Sequence, residues 1–260
     1  MLKRLRIAVL LYVLLFVAVV QYFERRYATD WDTPLRVDVY AVAGDSADST
    51  RRYLVDLEAT EFKDVAPFFA REAERYGVAL DQPFRVRLVG EHREPLPSLG
   101  SDPGFLGVLW WSLRMRWLAT RLRWRANGPR ADVLVFAVFH APSEGVALDR
   151  STALEKGLIA VANLFATPDA RATNQVVLAH ELLHTLGATD KYAPTTSVPI
   201  YPLGYAAPDA RPLLPQRQAE LMAGRIPIDE RRAEMPASLR QVVIGPGTAA
   251  EIGWKIPGQP

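Results

Sequence analysis

The chain contains no cysteine. Disulfide staples, cysteine-ligated zinc ribbons and thiol nucleophiles are all excluded, although this absence fits either side of a membrane and does not assign the compartment. An excess of charge is missing too. The formal net charge is +2 over 260 residues, so the overall balance implies no polyanionic partner, and none of the nucleic-acid class is expected. Histidine is scarce, with four in the chain, and there is no internal repeat. What is plentiful is apolar residues, 49% of the total, enough for one sizeable domain with a packed core.

The N-terminus has its own character. Lys3, Arg4 and Arg6 precede an unbroken apolar run from Ile7 to Val20, which grades through Gln21, Tyr22 and Phe23. These 14 residues fall short of the roughly 20 that span a bilayer and match the core of a signal peptide. Yet no small-x-small cleavage site follows, and Glu24-Arg25-Arg26 comes next. With Tyr22 and Phe23 at the interface the run reaches about 17 residues, the lower limit for a span. The expectation is a transmembrane signal anchor over 7–23, with a cytoplasmic tip at 1–6 and a linker at 24–34. A cleaved signal peptide is the alternative. Both place the body, 35–260, on the extracytoplasmic side, membrane-associated in the first case.

Alternation or continuous apolarity predicts strands at Leu35–Val42, Phe84–Val89, Asp132–Phe139 and Gly157–Phe165. Ser49–Tyr76 reads as helical, most strongly from Phe62, with Gly77 as a stop. Phe105 to Trp124 reads as an amphipathic helix (about 105–125). At about 100° per residue, Leu106, Leu109, Trp110, Leu113, Trp117 and Trp124 share one face. Arg114, Arg121 and Arg125 lie on one rim, Arg116 and Arg123 on the other. Such a helix fits a core position, a membrane surface or, least well, a nucleic acid. A helix capped by Thr173 or Asn174 runs to Leu186 and stops at Gly187. Beyond Asp190 the chain is proline-rich and irregular, with short helical pieces expected at Gln216–Met222 and Thr248–Ile252.

The chemistry concentrates in His180-Glu181-Leu182-Leu183-His184. Two histidines at i and i+4 of a helix lie one turn apart on one face, so both imidazoles reach a single metal ion. Glu181, beside the first, is placed to take a proton from an activated water and return it to a leaving amine. Gly187 permits a sharp turn that swings Asp190 back as a third, oxygen ligand. Glu220 is the competing third ligand, and a salt bridge from Asp190 to Lys191 is its non-ligand alternative.

The run His180-Glu-Leu-Leu-His184-Thr-Leu-Gly187-Ala-Thr-Asp190 resembles the metzincin motif, His-Glu-x-x-His-x-x-Gly-x-x-His, in the variant where Asp replaces the last His, as in the snapalysin-like metalloproteases. The resemblance covers Val176 to Tyr192 and matches no motif in Ile7–Trp124. It implies an α/β (α+β) zincin fold, a mixed sheet with backing helices, an active-site helix and an irregular C-terminal half. It also implies Zn2+ as cofactor and peptide or protein as substrate. A Met-turn beneath the metal is implied as well, for which Met222 fits best and Met235 less well. By analogy with the family, Gly157–Phe165 would be an edge strand that pairs with extended substrate. Tyr192 is a candidate to stabilise an oxyanion, with Tyr201 and Tyr205 as further candidates. His92 and His140 read as structural. A zinc hydrolase acting on a non-peptide amide or ester, and a non-catalytic zinc-binding protein associated with a membrane, are the alternative functions.

Overall fold

The apolar run at Val133–His140 forms β3, the middle strand of a five-stranded sheet. The computed structural model describes residues 11–12, 28–100, 104–126, 128–142, 152–154 and 158–254. Within them β3 lies parallel to β1 (Leu35–Ala43) on one side and β5 (Ile159–Phe165) on the other. β2 (Phe84–Glu91) extends the sheet parallel to β1, and β4 (Thr152–Leu154) pairs antiparallel with β5. The result is a mixed α/β architecture, as expected. Successive side chains of β3 divide between two cores: Val133, Val135, Ala137 and Phe139 on one face, Leu134, Phe136 and Val138 on the other. A strand covered on both faces must be apolar at every position, which explains the uninterrupted run.

The larger core holds α2 (Val65–Arg75) and α4 (Arg171–Thr185), with the C-terminal segment around Ile244, Ile252 and Trp254. That segment is tied down by polar contacts. Tyr76 donates its hydroxyl to the Ile244 carbonyl at 2.7 Å, the buried Glu72 carboxylate accepts the Ile244 N–H at 2.9 Å, and Trp31 Nε1 donates to the Ile252 carbonyl at 2.8 Å. The expected helix over 49–76 is in fact two, α1 (Asp48–Val55) and α2. Between them Glu61 turns fully inward, where it accepts the Tyr53 hydroxyl and pairs with Arg171 at the start of α4 (2.7 and 2.8 Å). A buried carboxylate requires such partners, and reaching them takes the chain off the helical path.

On the opposite face of the sheet lies α3 (Gly104–Arg125). Its length agrees with expectation. Its buried side does not. Trp111, Met115, Leu118 and Ala119 pack on the sheet, while Leu106, Leu109, Trp110, Leu113, Trp117 and Trp124 are all exposed. The helix is apolar on two opposed sides with arginines in the seams, and the side with smaller residues such as Ala119 and Met115 fits flush against Phe136 and Leu134.

Two further expectations are corrected. β5 is not the outermost strand, since β4 covers Ile159, Ala160 and Val161. Gln216–Met222 is not helical: Ala219–Glu220 is extended beside Val242–Val243, and Leu221–Ala223 is a single 3-10 turn. The helical piece expected near Thr248 is α5 (Pro246–Glu251). Among the described residues no helix is long and apolar enough to cross a membrane. The expected anchor over 7–23 lies, apart from Leu11 and Tyr12, outside the described residues.

Candidate metal centre

α4 is seated by its apolar face, with Val176, Leu178, Ala179, Leu182 and Leu183 buried. Neither Thr173 nor Asn174 caps it, because the helix begins at Arg171. Asn174 instead brackets the end of β5, accepting the Phe165 N–H at 3.1 Å and donating to the Phe165 carbonyl at 2.9 Å. The far end closes with paired bonds, Ala188 N–H to the Leu183 carbonyl and Gly187 N–H to the His184 carbonyl, both 3.1 Å. Gly187 sits at φ 94°, a left-handed conformation that a side chain would strain. This reversal turns the following residues back over the helix.

The reversal brings three donor atoms together. His180 Nε2 and His184 Nε2 are 3.0 Å apart, and Asp190 Oδ1 lies 3.3 and 3.1 Å from them. The other ring nitrogens face carbonyls, His180 Nδ1 at 2.9 Å from Leu221 O and His184 Nδ1 at 2.8 Å from Ala188 O. A carbonyl only accepts, so each Nδ1 carries a hydrogen and each Nε2 directs a lone pair at the shared point. Lone pairs of two imidazoles and a carboxylate repel one another at such distances unless a cation lies between them. In a tetrahedral site with ligands about 2.0–2.1 Å from the metal, neighbouring ligand atoms are about 3.3 Å apart, close to the spacing here.

His180, Glu181 and His184 form a group that could hold a metal ion. Within it, Glu181 is the more distant from the shared point, with Oε1 4.0 Å from His180 Nε2. Asp190 Oδ1 approaches both imidazoles more closely than Glu181 does. Glu181 Oε2 is buried and has no hydrogen-bond partner among the described residues. Burial pushes the Glu181 carboxyl up, and Asp190 adds to this while the two imidazoles oppose it. Burial would also raise Asp190, but the two imidazoles set against its Oδ1 pull it well below the usual carboxylate range. For His180, burial disfavours the charged ring, yet Asp190, Glu181 and the Leu221 carbonyl together shift it upward.

The floor of the site is the turn at Glu220–Gly224. Met222 is fully buried within it, Gly224 takes φ 68°, and Leu221 supplies the carbonyl on His180. Glu220, the competing ligand, is directed elsewhere. Its carboxylate accepts from Gly245 N–H (3.0 Å), Thr248 Oγ1 (2.7 Å) and Ala223 N–H (3.0 Å). It braces the turn from behind, and burial raises its pKa against the pull of these donors. Met235 is partly exposed and lines a recess beside His180, together with Val176, Val177, Tyr192, Ala223 and Arg225, of volume 290 Å³.

Tyr192 thus borders the site, its ring 6.5 Å from that of His180. Tyr201 and Tyr205 pack on each other at 5.4 Å and do not line the recess. His92 is enclosed between Tyr40 and Phe136, where burial lowers its pKa. His140 Nε2 meets Asn163 Oδ1 at 3.1 Å. Neither joins the centre.

Sequence reasoning missed one support. Lys191 does not pair with Asp190; its ammonium, almost fully buried, meets both carboxylate oxygens of Glu251 at 2.7 Å. Glu251 also accepts the N–H and hydroxyl of Thr189 at 2.9 and 2.7 Å. Both neighbours of Asp190 are therefore held by one carboxylate from α5. Nothing in the spacing of 189 and 251 announces this contact.

No known family model matches this chain, and no curated protein matches it significantly. Among solved structures, that of a chaperone-substrate complex matches with a TM-score of 0.43 at 13% identity, covering 85% of this chain and 33% of that chain. So slight a likeness carries no argument about function.

Proposed function

We propose that the chain is a zinc-dependent metalloendopeptidase with a zincin-type fold, related in its site to the metzincins. One observation carries the reading: His180, His184 and Asp190 converge their donor atoms within 3.0–3.3 Å while carbonyls lock both Nδ1 positions. The donor set, two imidazoles and a carboxylate, suits zinc and leaves one position open. A bound zinc supplies a Lewis acid that acidifies water and polarises a carbonyl.

The chain's own groups do the rest. The unpartnered Glu181 Oε2 accepts a proton from the attacking water, and the raised affinity of this carboxyl for protons suits it to return that proton to the leaving amine. The Tyr192 phenol is near enough to the histidines to donate to a developing oxyanion. The recess lined by Val176, Val177 and Met235 accepts an apolar side chain of the substrate. With the anchor expected at 7–23, the site would work outside the cytoplasm beside a membrane.

Elemental analysis and peptide turnover test this together. Purified protein is expected to hold one zinc per chain. Glu181→Gln should keep the metal and lose about 10²–10⁴-fold in turnover, and Asp190→Ala should lose tight zinc binding. A Glu181→Gln protein that cleaves peptide at the original rate refutes the mechanism. Zinc binding without peptide cleavage, but with cleavage of a small amide or ester, would move the assignment to a non-peptide hydrolase.

A further inference from the structure

The outward face of α3 is the largest feature that the metal centre leaves unused. The protein has six tryptophans. Trp31, Trp111 and Trp254 are buried, whereas Trp110, Trp117 and Trp124 are 64%, 65% and 70% exposed. They form one stripe with Leu106, Leu109 and Leu113, also exposed. At 1.5 Å per residue the stripe from Leu106 to Trp124 is about 27 Å long. An apolar strip of that extent facing water marks a surface that is covered in use.

We propose that this face of α3 lies flat on an anionic phospholipid surface. The charge around the stripe selects the occupant. From Gly104 to Arg130 the sequence has six arginines and no acidic residue, so both seams beside the apolar strip are cationic. Arg121 stacks over Trp117 at 5.1 Å and Arg130 over Trp124 at 4.2 Å, which holds guanidinium groups at the level of the indoles. Indoles and guanidinium groups at one height match the boundary where acyl chains meet phosphates. A recess of 450 Å³ between α3 and the segment at Pro95 and Pro97 is lined by Trp110, Arg114, Trp117 and Arg121. Its acid, Glu94, is engaged by Arg121. A phosphate headgroup fits that lining. A second copy of the chain would set arginine against arginine. The strongly apolar sequence run Ile7–Val20, itself preceded by three cationic residues, ends eight residues before Ala28, so a body tethered by it stays within reach of a bilayer.

α3 and α4 occupy opposite faces of the sheet. Docking through α3 therefore leaves the metal centre turned away from the lipid. The inference rests on packing and charge alone and stands whether or not the centre hydrolyses peptides.

The test uses the full chain reconstituted into phosphatidylcholine vesicles, with or without phosphatidylglycerol, whose acyl chains are brominated to quench indole emission. The exposed indoles all belong to the stripe, so quenching reports α3 itself and not the apolar run. Strong quenching on anionic vesicles, about threefold or more weaker on neutral ones and reduced by salt, is expected. Leu106→Ser, Leu109→Ser and Leu113→Ser in one protein keep every indole and should bring quenching down to the neutral-vesicle level. Arg114→Gln with Arg125→Gln should do the same on anionic vesicles while altering no apolar contact, and serves if the serine protein melts early. Equal quenching by both lipids, or quenching that survives both variants, overturns the proposal. So does cross-linking that finds α3 against a second copy, or against residues 7–20, in the vesicles.

Discussion

His180 and His184 each commit one ring nitrogen to a backbone carbonyl, and that commitment orients the other nitrogen. The carbonyls come from different places: Ala188 O from the helix reversal next door, Leu221 O from a turn 41 residues further along. The first follows from local sequence, because Gly187 allows the left-handed step. The second depends on Glu220, whose carboxylate is buried among the donors Ala223 N–H, Gly245 N–H and Thr248 Oγ1. Glu220→Ala strands these buried donors, each at about 1–3 kcal/mol. A loss of at least about 3 kcal/mol in denaturant unfolding is expected, with weaker zinc binding in what remains folded. An unchanged unfolding midpoint would return Glu220 to candidacy as a ligand.

Among the elements, α5 has an influence that its six residues do not suggest. Glu251 at its end grips Thr189 and Lys191, the two neighbours of Asp190. Removing it leaves a buried ammonium without its carboxylate and frees the loop that carries Asp190, the proposed third ligand. Glu251→Ala should cost about 1–3 kcal/mol of stability, a range discounted because the Glu251 side chain is 30% exposed. It should also weaken zinc affinity by about 10–100-fold, the usual effect of losing a group that orients a ligand. A metal-competition titration reads the second effect separately from the melt. Equal affinity in variant and parent would make Glu251 a stability residue only. The other instructive element is α3. Its rims and length were legible from the arginine and tryptophan spacing, but its buried side was not, since periodicity identifies apolar faces without saying which one meets a sheet.

For the molecule as a whole, a metal at this centre joins the end of α4 to the loop at Asp190, over a turn braced by the C-terminal segment. Unfolding must break that link, so binding adds to stability in proportion to its tightness. At a free zinc concentration about 1,000 times the dissociation constant the gain is about 4 kcal/mol, which for a chain of this size raises the melting temperature by roughly 10 °C. Chelation should reverse the shift and zinc restore it; a melting temperature indifferent to both would deny the centre a structural metal. The sequence alone determined the central strand, because a segment buried on both sides must be apolar throughout. It determined the histidine pair, because helical spacing is local geometry, and the reversal at Gly187, because the left-handed step favours glycine. The tertiary structure alone decided the rest: Asp190 over Glu220 beside the imidazoles, Leu221 beneath His180, Glu251 behind the loop, and the tryptophans of α3 turned outward. Leu221 and Glu251 reach the centre from segments far along the chain, Asp190 prevails because Glu220 is spent on other donors, and the outward side of α3 follows from how its faces fit the sheet; residue spacing carries no record of these choices.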